Sequence, residues 1–432
     1  MSRAMKDSRI DWFGQVPDNW AVTTNKVLFN LYSGATPKTD IVDYWDGDII
    51  WITPADYKTD DVFVSKGHRN ITEAGLNSCG TVLLPPMSIV FSKRAPIGAV
   101  AVNAISLCTN QGCIGCVPNE SVNYKFYYYC WSILTPQFEI LGSGTTFKEI
   151  SATSFANFKI IFPPLVEQEA IAEFLDRKCG EVDEMVALQE QVIEELKAYK
   201  QSVITEAVTK GLNPSAPMKP SNIDWIGQIP THWEICRIKN KVGFNPGSTP
   251  PLRNIEVSYM PMECLRFDEI ENRTAMYEDV KGYTPFAEGD IVMAKVTPCF
   301  ENGNIAVATG LKNGIGFGTS EIFVIRCLQS CYTRYVLYFL RTPYILSRGV
   351  SSMTGTGGLK RVNPKYFLDS NLILPPLSEQ QEIADYLDRK CADIDALIAL
   401  KQHKIDDLRE YKKSLIYEYV TGKKQTPNCV FH

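Results

Sequence analysis

Cys108, Cys113 and Cys116 lie close enough together in the sequence to be considered as metal ligands. A structural zinc site needs four ligands, usually supplied as two close pairs of cysteine or histidine residues. These three cysteines lie in an apolar, strand-like run that contains no histidine, and no second cysteine pair matches them. We therefore interpret them as buried thiols and predict no metal site in this chain.

The residue types that commonly carry catalysis also form no recognisable arrangement. The chain has four histidines, His68, His232, His403 and His432. None of them has neighbours in the sequence that suggest a catalytic or metal-binding site. The sequence lacks the Gly-x-x-x-x-Gly-Lys-Ser/Thr loop that binds nucleotide phosphates. It also lacks the Asn/Asp-Pro-Pro-Tyr/Phe tetrapeptide of amino-methyltransferases, because Pro163-Pro164-Leu165 has neither the polar first residue nor the aromatic last one. We predict a chain with no catalytic centre and no cofactor of its own.

Length and composition limit the classes of protein to which this chain can belong. At 432 residues the chain exceeds what a single hydrophobic core usually serves, so two or more domains are expected. No window approaches the roughly 18 unbroken apolar residues of a membrane span, and no secretory signal is recognisable. We therefore expect a cytoplasmic protein without membrane contact, whose 13 cysteines are reduced.

The formal net charge of −5 bears on possible partners, because phosphate groups attract positive charge. Much of the excess acid lies between positions 167 and 195. The second half of the chain is mildly basic towards its end, through Arg334, Arg341, Arg348, Lys360, Arg361 and Lys365. This distribution permits nucleic-acid binding without predicting it.

The sequence contains a repeat whose two copies lie about half the chain length apart. Residues 10–20 return as residues 223–233, and both segments share Ile-Asp-Trp, Gly-Gln, a proline and a final tryptophan. Residues 162–168 return as residues 374–380, with a shared Pro-Pro-Leu and Glu-Gln. Between these matching ends the similarity nearly vanishes. The pattern favours one architecture that contacts two different targets, although a purely structural duplication stays open.

Each copy reads as a mixture of strands and short helices followed by one long helix. The segments typical of strands are residues 48–52, 88–91, 97–102, 290–293 and 304–308. A tyrosine-rich segment in each copy, at 124–131 and 332–340, predicts a buried helix. Its aromatic side chains are expected in the core rather than as a stacking surface for bases.

A heptad pattern follows Pro163-Pro164 and again follows Pro375-Pro376, and it predicts two long helices. The residues expected to pair the helices are Leu175, Val182, Met185, Leu196 and Tyr199 in the first helix and Leu387, Ile394, Leu397, Leu408 and Tyr411 in the second. The apolar stripe is widened by Val186, Ile193, Ile398 and Ile405. A stripe of that width needs a partner helix.

Antiparallel pairing of the two helices is the arrangement that the repeat favours. Each helix would be about 60 Å long if its roughly 40 residues were continuous. A parallel pair would require the linker at 211–221 to span that length, whereas an antiparallel pair lets it join one helix directly to the neighbouring domain. Met5-Lys6 before the first repeat matches Met218-Lys219 before the second, as expected for two near-equivalent halves.

The predicted fold class is α+β, with two similar mixed α/β domains joined by two long helices that pack as an antiparallel coiled coil with pseudo-twofold symmetry. The predicted boundaries are a first domain at 1–164, a central helix at 165–212, a second domain at 213–376, a C-terminal helix at 377–424 and a tail at 425–432.

Two variable segments, each closed by a repeated pattern that opens a long helix, resemble the DNA-specificity subunit of type I restriction-modification enzymes. The pattern of Pro-Pro-Leu, Glu-Gln, Ile-Ala and Leu-Asp stands at 163–176 and again at 375–388. The turns at 34–37 and 247–250 resemble the glycine turn near the start of each target recognition domain of that family. The resemblance covers essentially the whole chain, and its specificity lies in the ordered duplication of motifs that are individually weak.

The resemblance implies a function and a set of partners. Each variable region would be a target recognition domain for one half of a bipartite site in double-stranded DNA. The paired helices would set the spacer between the halves and dock two methyltransferase subunits, and motor-nuclease restriction subunits would join the assembly. S-adenosylmethionine, ATP and Mg would be bound by those partners, and this chain would have no catalytic centre.

Under this resemblance, the candidate DNA contacts are polar side chains on loops, because base edges are read in the grooves while phosphates hold the register. The candidates are Lys93, Arg94, Asn110, Gln111, Thr146 and Lys148 in the first domain and Lys295, Thr297, Ser320, Thr356, Lys360 and Arg361 in the second. Amides such as Asn110 and Gln111 can pair bidentately with adenine, and we place Ser320 and Glu321 opposite them. Each candidate could instead be a solvated loop residue. The glycine-containing loops at 142–146 and 354–358 either cradle phosphates or only connect elements.

Two alternatives stay open on the sequence alone. A non-enzymatic DNA-binding regulator or scaffold would use the same paired domains without restriction partners. A standalone nuclease or fused restriction enzyme would act on DNA by itself, and the missing catalytic motifs disfavour it.

Overall fold

The computed structural model describes residues 3–58, 61–142, 148–247, 253–356 and 358–427. The chain divides into two units, of which the first is Met1–Gln189 with His403–His432 and the second is Glu190–Gln402. Each unit contains one copy of the repeat together with a part of both long helices. The predicted class, two similar mixed α/β domains with two long paired helices, is confirmed.

The first unit is built mainly of short strands. Its strands are β1 (Met5–Asp7), β2 (Gln15–Pro17), β3 (Ala21–Thr24), β4 (Phe29–Ser33), β5 (Trp45–Ile52), β6 (Phe63–Val64), β7 (Arg69–Ile71), β8 (Ile89–Ser92), β9 (Val100–Asn103), β10 (Cys108–Thr109), β11 (Cys113–Pro118) and β12 (Lys159–Phe162). Its helices are α1 (Asn25–Leu28), α2 (Glu73–Asn77), α3 (Tyr124–Ser132), α4 (Thr135–Leu141) and α5 (Ala152–Ala156), with a 3-10 turn at Val42–Tyr44. The long helix α6 (Leu165–Lys210) begins in this unit and continues into the second.

The core of the first unit lies between its central sheet and α3. The sheet has the strand order β4-β11-β8-β9-β6, and β8 and β9 are buried at every position, which is typical of central strands. Phe91 of β8 packs edge-on against Trp131 of α3, with ring centroids 6.3 Å apart. The tyrosine-rich segment is therefore a core helix, as predicted.

The second unit has the same kinds of element. Its strands are β13 (Met218–Pro220), β14 (Gln228–Pro230), β15 (Glu234–Arg237), β16 (Val242–Phe244), β17 (Glu256–Met260), β18 (Leu265–Arg266), β19 (Glu269–Ile270), β20 (Arg273–Met276), β21 (Thr284–Ala287), β22 (Ile291–Ala294), β23 (Ile305–Val307), β24 (Ile315–Gly318), β25 (Ile322–Cys327) and β26 (Asn371–Leu374). Its helices are α7 (Tyr277–Val280), α8 (Thr333–Leu340), α9 (Pro343–Ser351) and α10 (Pro364–Leu368), with 3-10 turns at Ile238–Asn240, Met262–Cys264 and Lys312–Gly314. The long helix α11 (Leu377–Val420) begins here and continues into the first unit.

The two units repeat the same strand pairings with different residues. β12 pairs antiparallel with β3 in the first unit, and β26 pairs antiparallel with β15 in the second. Each unit also contains an equivalent parallel pair, β5 with β10 in the first unit and β17 with β24 in the second. The strand that leads into each long helix is therefore held by the strand that follows the repeated Ile-Asp-Trp segment of the same unit.

Within each unit the segments of α6 and α11 run antiparallel. In the first unit the rings of Phe174 and Tyr419 lie 4.4 Å apart, and Asp183 forms an ion pair with Lys412 at 2.7 Å. Residue numbers therefore rise along one helix as they fall along the other. In the second unit Lys200 of α6 forms an ion pair with Asp395 of α11 at 2.7 Å, and the facing apolar residues belong to one core cluster.

The helix seam differs from the predicted one at its second position. Leu175, Val182, Leu387 and Ile394 are buried, and Leu196 and Leu408 are half-buried. Met185, Tyr199, Leu397 and Tyr411 are 51, 50, 46 and 54 % exposed, so the prediction that they pair the helices is wrong. The buried second series lies four residues after the first instead of three, at Cys179, Ile193, Cys391 and Ile405. Both series carry apolar residues, and the position of the partner helix decides which one is buried.

The repeated Glu-Gln and Leu-Asp motifs fasten the first domain to α6. The Glu167 carboxylate accepts a hydrogen bond from the indole N–H of Trp20 at 2.8 Å. The Gln168 amide donates to and accepts from backbone groups of the loops that precede α3 and α6. About two helical turns after Gln168, Asp176 accepts a hydrogen bond from the Tyr129 hydroxyl at 2.8 Å. The motif therefore serves as a joint between domain and helix.

The second unit builds the same joint. The Glu379 carboxylate accepts a hydrogen bond from the indole N–H of Trp233 at 3.1 Å, and Gln380 again binds backbone groups of the preceding loops. Asp388 accepts a hydrogen bond from the Tyr338 hydroxyl at 2.6 Å. The repeat thus preserves the contacts between each domain and the helix that leaves it.

Neither a membrane span nor a metal cluster stands out in the described residues. Across them, no helix has the length and the apolar character needed to cross a membrane. The same residues contain no group of three or more histidine, cysteine, aspartate or glutamate side chains that could hold a metal ion. Cys108 and Cys113 are buried free thiols, and burial raises the pKa of Cys108 to about 11 and the pKa of Cys113 to about 12.

Candidate functional site

Three loops of the first unit meet where β8 and β10 end, and we call residues 93–94, 110–112 and 148–150 the first edge. The Lys93 N–H donates to the Gly112 carbonyl at 2.9 Å, and the Ile150 N–H donates to the Lys93 carbonyl at 3.0 Å. The Asn110 N–H donates to the carbonyl of Ile52, the last residue of β5, at 2.9 Å. The first edge is therefore a set of loops held together by backbone hydrogen bonds.

The glycine turn at 34–37 lies against the first edge. A Cβ atom on Gly34 would lie 2.1 Å from the Asn110 carbonyl oxygen, so only glycine fits this approach. The Thr36 hydroxyl donates a hydrogen bond to the Gln111 side-chain oxygen. The turn therefore supports two of the predicted contact residues instead of standing apart from them.

The second unit builds the same frame, and we call residues 295–297, 319–321 and 360–362 the second edge. The Lys295 N–H donates to the Glu321 carbonyl at 3.0 Å, and the Val362 N–H donates to the Lys295 carbonyl at 2.8 Å. The Thr297 N–H donates to the Lys360 carbonyl at 3.0 Å. The bonds of Lys295 to Glu321 and of Val362 to Lys295 have counterparts in the first edge, so these strand ends and loops are joined in the same way.

The structure corrects the predicted correspondence between the two edges by one residue. The Asn110 side-chain oxygen accepts a hydrogen bond from the Gly112 N–H at 2.9 Å. The Thr319 hydroxyl oxygen accepts one from the Glu321 N–H at 2.8 Å. Thr319 is therefore equivalent to Asn110, and Ser320 is equivalent to Gln111. The sequence predicted Ser320 as the equivalent of Asn110 and Glu321 as the equivalent of Gln111, which is wrong by one residue. Side-chain types alone do not reveal the turn that sets the correspondence.

The predicted contact residues differ in how far solvent reaches them. Arg94, Gln111, Lys148, Ser320, Thr356, Lys360 and Arg361 are exposed. Lys93, Asn110, Lys295 and Thr297 are half-buried. Thr146 lies outside the described residues. The exposed group is the one that a ligand reaches without rearrangement of the loops.

Two carboxylates lie among the cations of the first and second edges. Glu149 forms ion pairs with Lys93 and Arg94, each at 2.9 Å. Burial raises the pKa of Glu149, but the hydrogen bonds and charges of these two cations outweigh it, so the pKa lies below its usual value. Glu321 accepts two hydrogen bonds from Arg361, which lower its pKa in the same way. Neither glutamate is among the predicted DNA contacts, because those contacts are cationic, hydroxyl and amide side chains.

Three arginines that make the second half basic in sequence are engaged inside the second unit. Arg334 forms an ion pair with Asp388, and Arg341, which is 2 % exposed, forms one with Asp268 at 2.7 Å. The guanidinium of Arg348 lies 5.2 Å from the Tyr344 ring centroid. These arginines hold α8 and α9 in place, and the cations at the surface of the second edge are Lys360 and Arg361.

The sequence matches one family profile over most of its length. The family described as type I restriction modification DNA specificity domain matches residues 17–198 and 278–410. The type I restriction enzyme MjaIX specificity subunit of Methanocaldococcus jannaschii is 31 % identical over 254 residues, which are 56 % of this chain and 56 % of that protein. The EcoAI specificity subunit of Escherichia coli is 42 % identical over 162 residues, which are 36 % of this chain and 27 % of that protein. The chain thus spans about half the length of the first relative and about a quarter of the second.

Two solved structures share the fold. A chain from work on complex assembly and conformational transition of the type I R-M system has a TM-score of 0.72 at 15 % identity, covering 95 % of this chain and 99 % of that chain. The HsdS subunit from Thermoanaerobacter tengcongensis has a TM-score of 0.52 at 15 % identity, covering 95 % of this chain and 98 % of that chain. The likeness extends over both units, and the profile covers more than half of the sequence. The chain therefore belongs to the type I restriction modification DNA specificity domain family.

Proposed function

We propose that this chain is the DNA-specificity subunit of a type I restriction-modification enzyme. The first edge reads one half of a bipartite site in double-stranded DNA, and the second edge reads the other half. The paired helices set the spacer between the halves. Because the two edges carry different side chains, the two halves of the site differ in sequence.

The observation that carries this proposal is the shared backbone frame of the two edges. Lys93 and Lys295 occupy equivalent positions in this frame. Gln111 and Ser320 also occupy equivalent positions, but their side chains differ. A reader of two different sequences needs a common frame that meets the DNA backbone and different side chains that meet base edges. Family membership supports the same function.

The chain acts through partners, and it is not itself an enzyme. Two methyltransferase subunits dock on the long helices, and motor-nuclease restriction subunits join the assembly in the cytoplasm. S-adenosylmethionine, ATP and Mg²⁺ are bound by those partners. Exposed apolar side chains on the helices support docking: Met185, Leu188 and Tyr411 in the first unit and Tyr199, Leu397 and Leu400 in the second.

Single-molecule mapping of methylated adenines in host DNA, with and without the gene for this chain, tests the proposal. We expect a two-part motif that is methylated only when the chain is present. Exchange of residues 213–376 for the matching region of a relative should change one half of the motif and leave the other half unchanged.

Co-purification separates this function from that of a DNA-binding regulator. A specificity subunit should retain a methyltransferase through affinity purification from its host, whereas a regulator should bind its DNA without one. Cleavage or methylation of DNA by the isolated chain, supplied with magnesium and cofactors, would contradict the proposal that the chemistry belongs to the partners.

A further inference from the structure

One equivalent position carries a negative side chain in the first edge and a positive side chain in the second edge. The residue after Glu149 donates its N–H to the Lys93 carbonyl at 3.0 Å, and the residue after Arg361 donates its N–H to the Lys295 carbonyl at 2.8 Å. Glu149 and Arg361 therefore occupy equivalent positions. A shared frame alone does not require any charge here, because the frame is made by backbone groups.

Both units nevertheless build one arginine–glutamate pair across the edge. In the first edge the Arg94 Nε–H donates to Glu149 at 2.9 Å. In the second edge the Arg361 Nε–H and Nη2–H donate to Glu321 at 2.8 and 2.7 Å. The two pairs join different segments. In the first edge the arginine follows β8 and its glutamate lies in the loop before α5, whereas in the second edge the arginine lies in the loop before α10 and its glutamate precedes β25. The pair is the shared feature, although its members stand at different positions.

Each pair leaves part of its guanidinium exposed. A guanidinium has five N–H groups, and the hydrogen bonds described here use one of them in Arg94 and two in Arg361. The side chains of Arg94 and Arg361 are 45 and 49 % exposed. The remaining N–H groups at the end of each guanidinium form the fork that pairs bidentately with guanine O6 and N7 in the major groove.

The carboxylate changes whether the arginine preferentially binds a phosphate group or a guanine base. An unpaired arginine is attracted by any phosphate, and such contacts carry no sequence information. A carboxylate about 3 Å away lowers the positive charge at the arginine and repels phosphate oxygens, whereas a guanine edge carries no net charge. In the first edge Glu149 is shared by Arg94 and Lys93, so the positive charge there is reduced and not cancelled. The carboxylate also fixes the plane of the guanidinium, which a bidentate contact requires.

We propose that Glu149 and Glu321 are specificity-determining positioning residues, which hold Arg94 and Arg361 for one guanine in each half-site. The inference rests on the proposed function and names a chemical target for each edge. The glutamates do not themselves contact DNA in this arrangement.

The test measures binding of the full chain, complexed with its methyltransferase, to duplexes that carry the mapped site or single base-pair changes in either half. We expect Glu321→Gln to bind unrelated DNA several-fold more tightly, because one negative charge is lost. The same variant should lose about tenfold of the discrimination against replacement of one guanine in one half-site. Glu149→Gln should do the same at the other half-site only.

Three further variants separate positioning from simple stability. Glu321→Asp keeps the charge and should retain most of the discrimination. Arg361→Lys keeps the cation but lacks the fork, so it should lose discrimination as Glu321→Gln does, and it carries the test if that variant does not fold. Glu256→Gln is the matched control, because Glu256 is paired with Lys312 at 3.4 Å in the same unit and outside the second edge.

The possible results distinguish the inference from the proposed function. A wild-type complex that selects a bipartite site, with Glu149→Gln and Glu321→Gln variants of unchanged discrimination, would overturn the inference alone. A mapped half-site without a G·C pair would do the same for its edge. A wild-type complex that selects no bipartite site would overturn both.

Discussion

The indole N–H of Trp20 donates a hydrogen bond to the Glu167 carboxylate at 2.8 Å, and both side chains are almost completely buried. Trp20 ends the first repeated motif and Glu167 lies in the second, so two motifs that are far apart in the sequence form one contact. Trp233 and Glu379 repeat this contact in the second unit at 3.1 Å. The motifs that mark the family in this chain are thus the joints between its domains and its helices.

Removing this joint should destabilise the first unit. We expect Glu167→Ala to lower the free energy of unfolding by about 1–3 kcal/mol, because it leaves the buried Trp20 N–H without an acceptor. Urea denaturation followed by tryptophan fluorescence measures the change. The neighbouring Val166 is 63 % exposed, and Val166→Ala should stay within about 0.5 kcal/mol of wild type. Equal effects of the two substitutions would contradict the assignment of the joint.

The revised helix seam predicts unequal effects of two identical substitutions. Leu387 is fully buried on α11, whereas Leu397 on the same helix is 46 % exposed. Leu387→Ala should cost about 2–5 kcal/mol of unfolding free energy, and Leu397→Ala should cost less than about 0.5 kcal/mol. Thermal denaturation of the two variants checks this, and a larger loss for Leu397→Ala would restore the seam expected from the sequence.

Loss of Leu397 should instead affect assembly. If methyltransferase subunits dock on the exposed apolar side chains of the helices, Leu397→Asp should weaken their binding without lowering the melting temperature of the isolated chain. Analytical ultracentrifugation of the mixed subunits reports the change. Glu382→Ala provides a control at an exposed polar position of the same helix. Unchanged assembly by Leu397→Asp would exclude this surface.

Helix length should determine the spacer of the DNA site. Removing one heptad from α6 and one from α11 shortens each helix by about 10 Å at about 1.5 Å per residue. At about 3.4 Å per base pair, the spacer of the methylated motif should shorten by about three base pairs while both halves stay the same. Methylation mapping of cells that carry the shortened chain gives the result. An unchanged spacer would reject the spacing role of the helices.

The ion pairs of the first edge predict a pH dependence. The pKa of Glu149 lies below its ordinary value of 4.5, so the folded form favours the ionised carboxylate. The pairs with Lys93 and Arg94 therefore contribute fully above about pH 4.5, and their contribution is lost as the pH falls through the lowered folded pKa. Carboxyl ¹³C NMR titration of the wild-type chain should place the Glu149 midpoint below that of an exposed glutamate. Arg94→Met should move the midpoint upward, and no movement would contradict the pairing.

Much of the fold follows from local patterns. The strands near residues 48–52, 88–91 and 290–293 and the buried helices near 124–131 and 332–340 were predictable, because periodicity and apolar runs are properties of neighbouring residues. The antiparallel direction of the helices also followed, from the length of the linker. The choice between Met185 and Ile193 as seam residues did not follow, since both are apolar and only the partner helix distinguishes them.

The candidate site was predictable in part for the same reason. Lys93, Lys295 and Arg361 could be selected as cations that follow strands or lie in polar loops. Their pairing could not, because Glu149 is far from Arg94 in the sequence and Glu321 is far from Arg361. The one-residue correction that places Thr319 opposite Asn110 came from hydrogen bonds between side chain and backbone, which no comparison of residue types contains.

The sequence by itself determined the duplication, the two long helices and the absence of recognisable catalytic motifs, since these are written in residue types and their spacing along the chain. Only the tertiary structure decided which helix face is buried and which carboxylate holds which arginine. Those outcomes depend on distances of a few ångströms between segments that are remote in sequence, where burial and electrostatic attraction act through space and not along the chain.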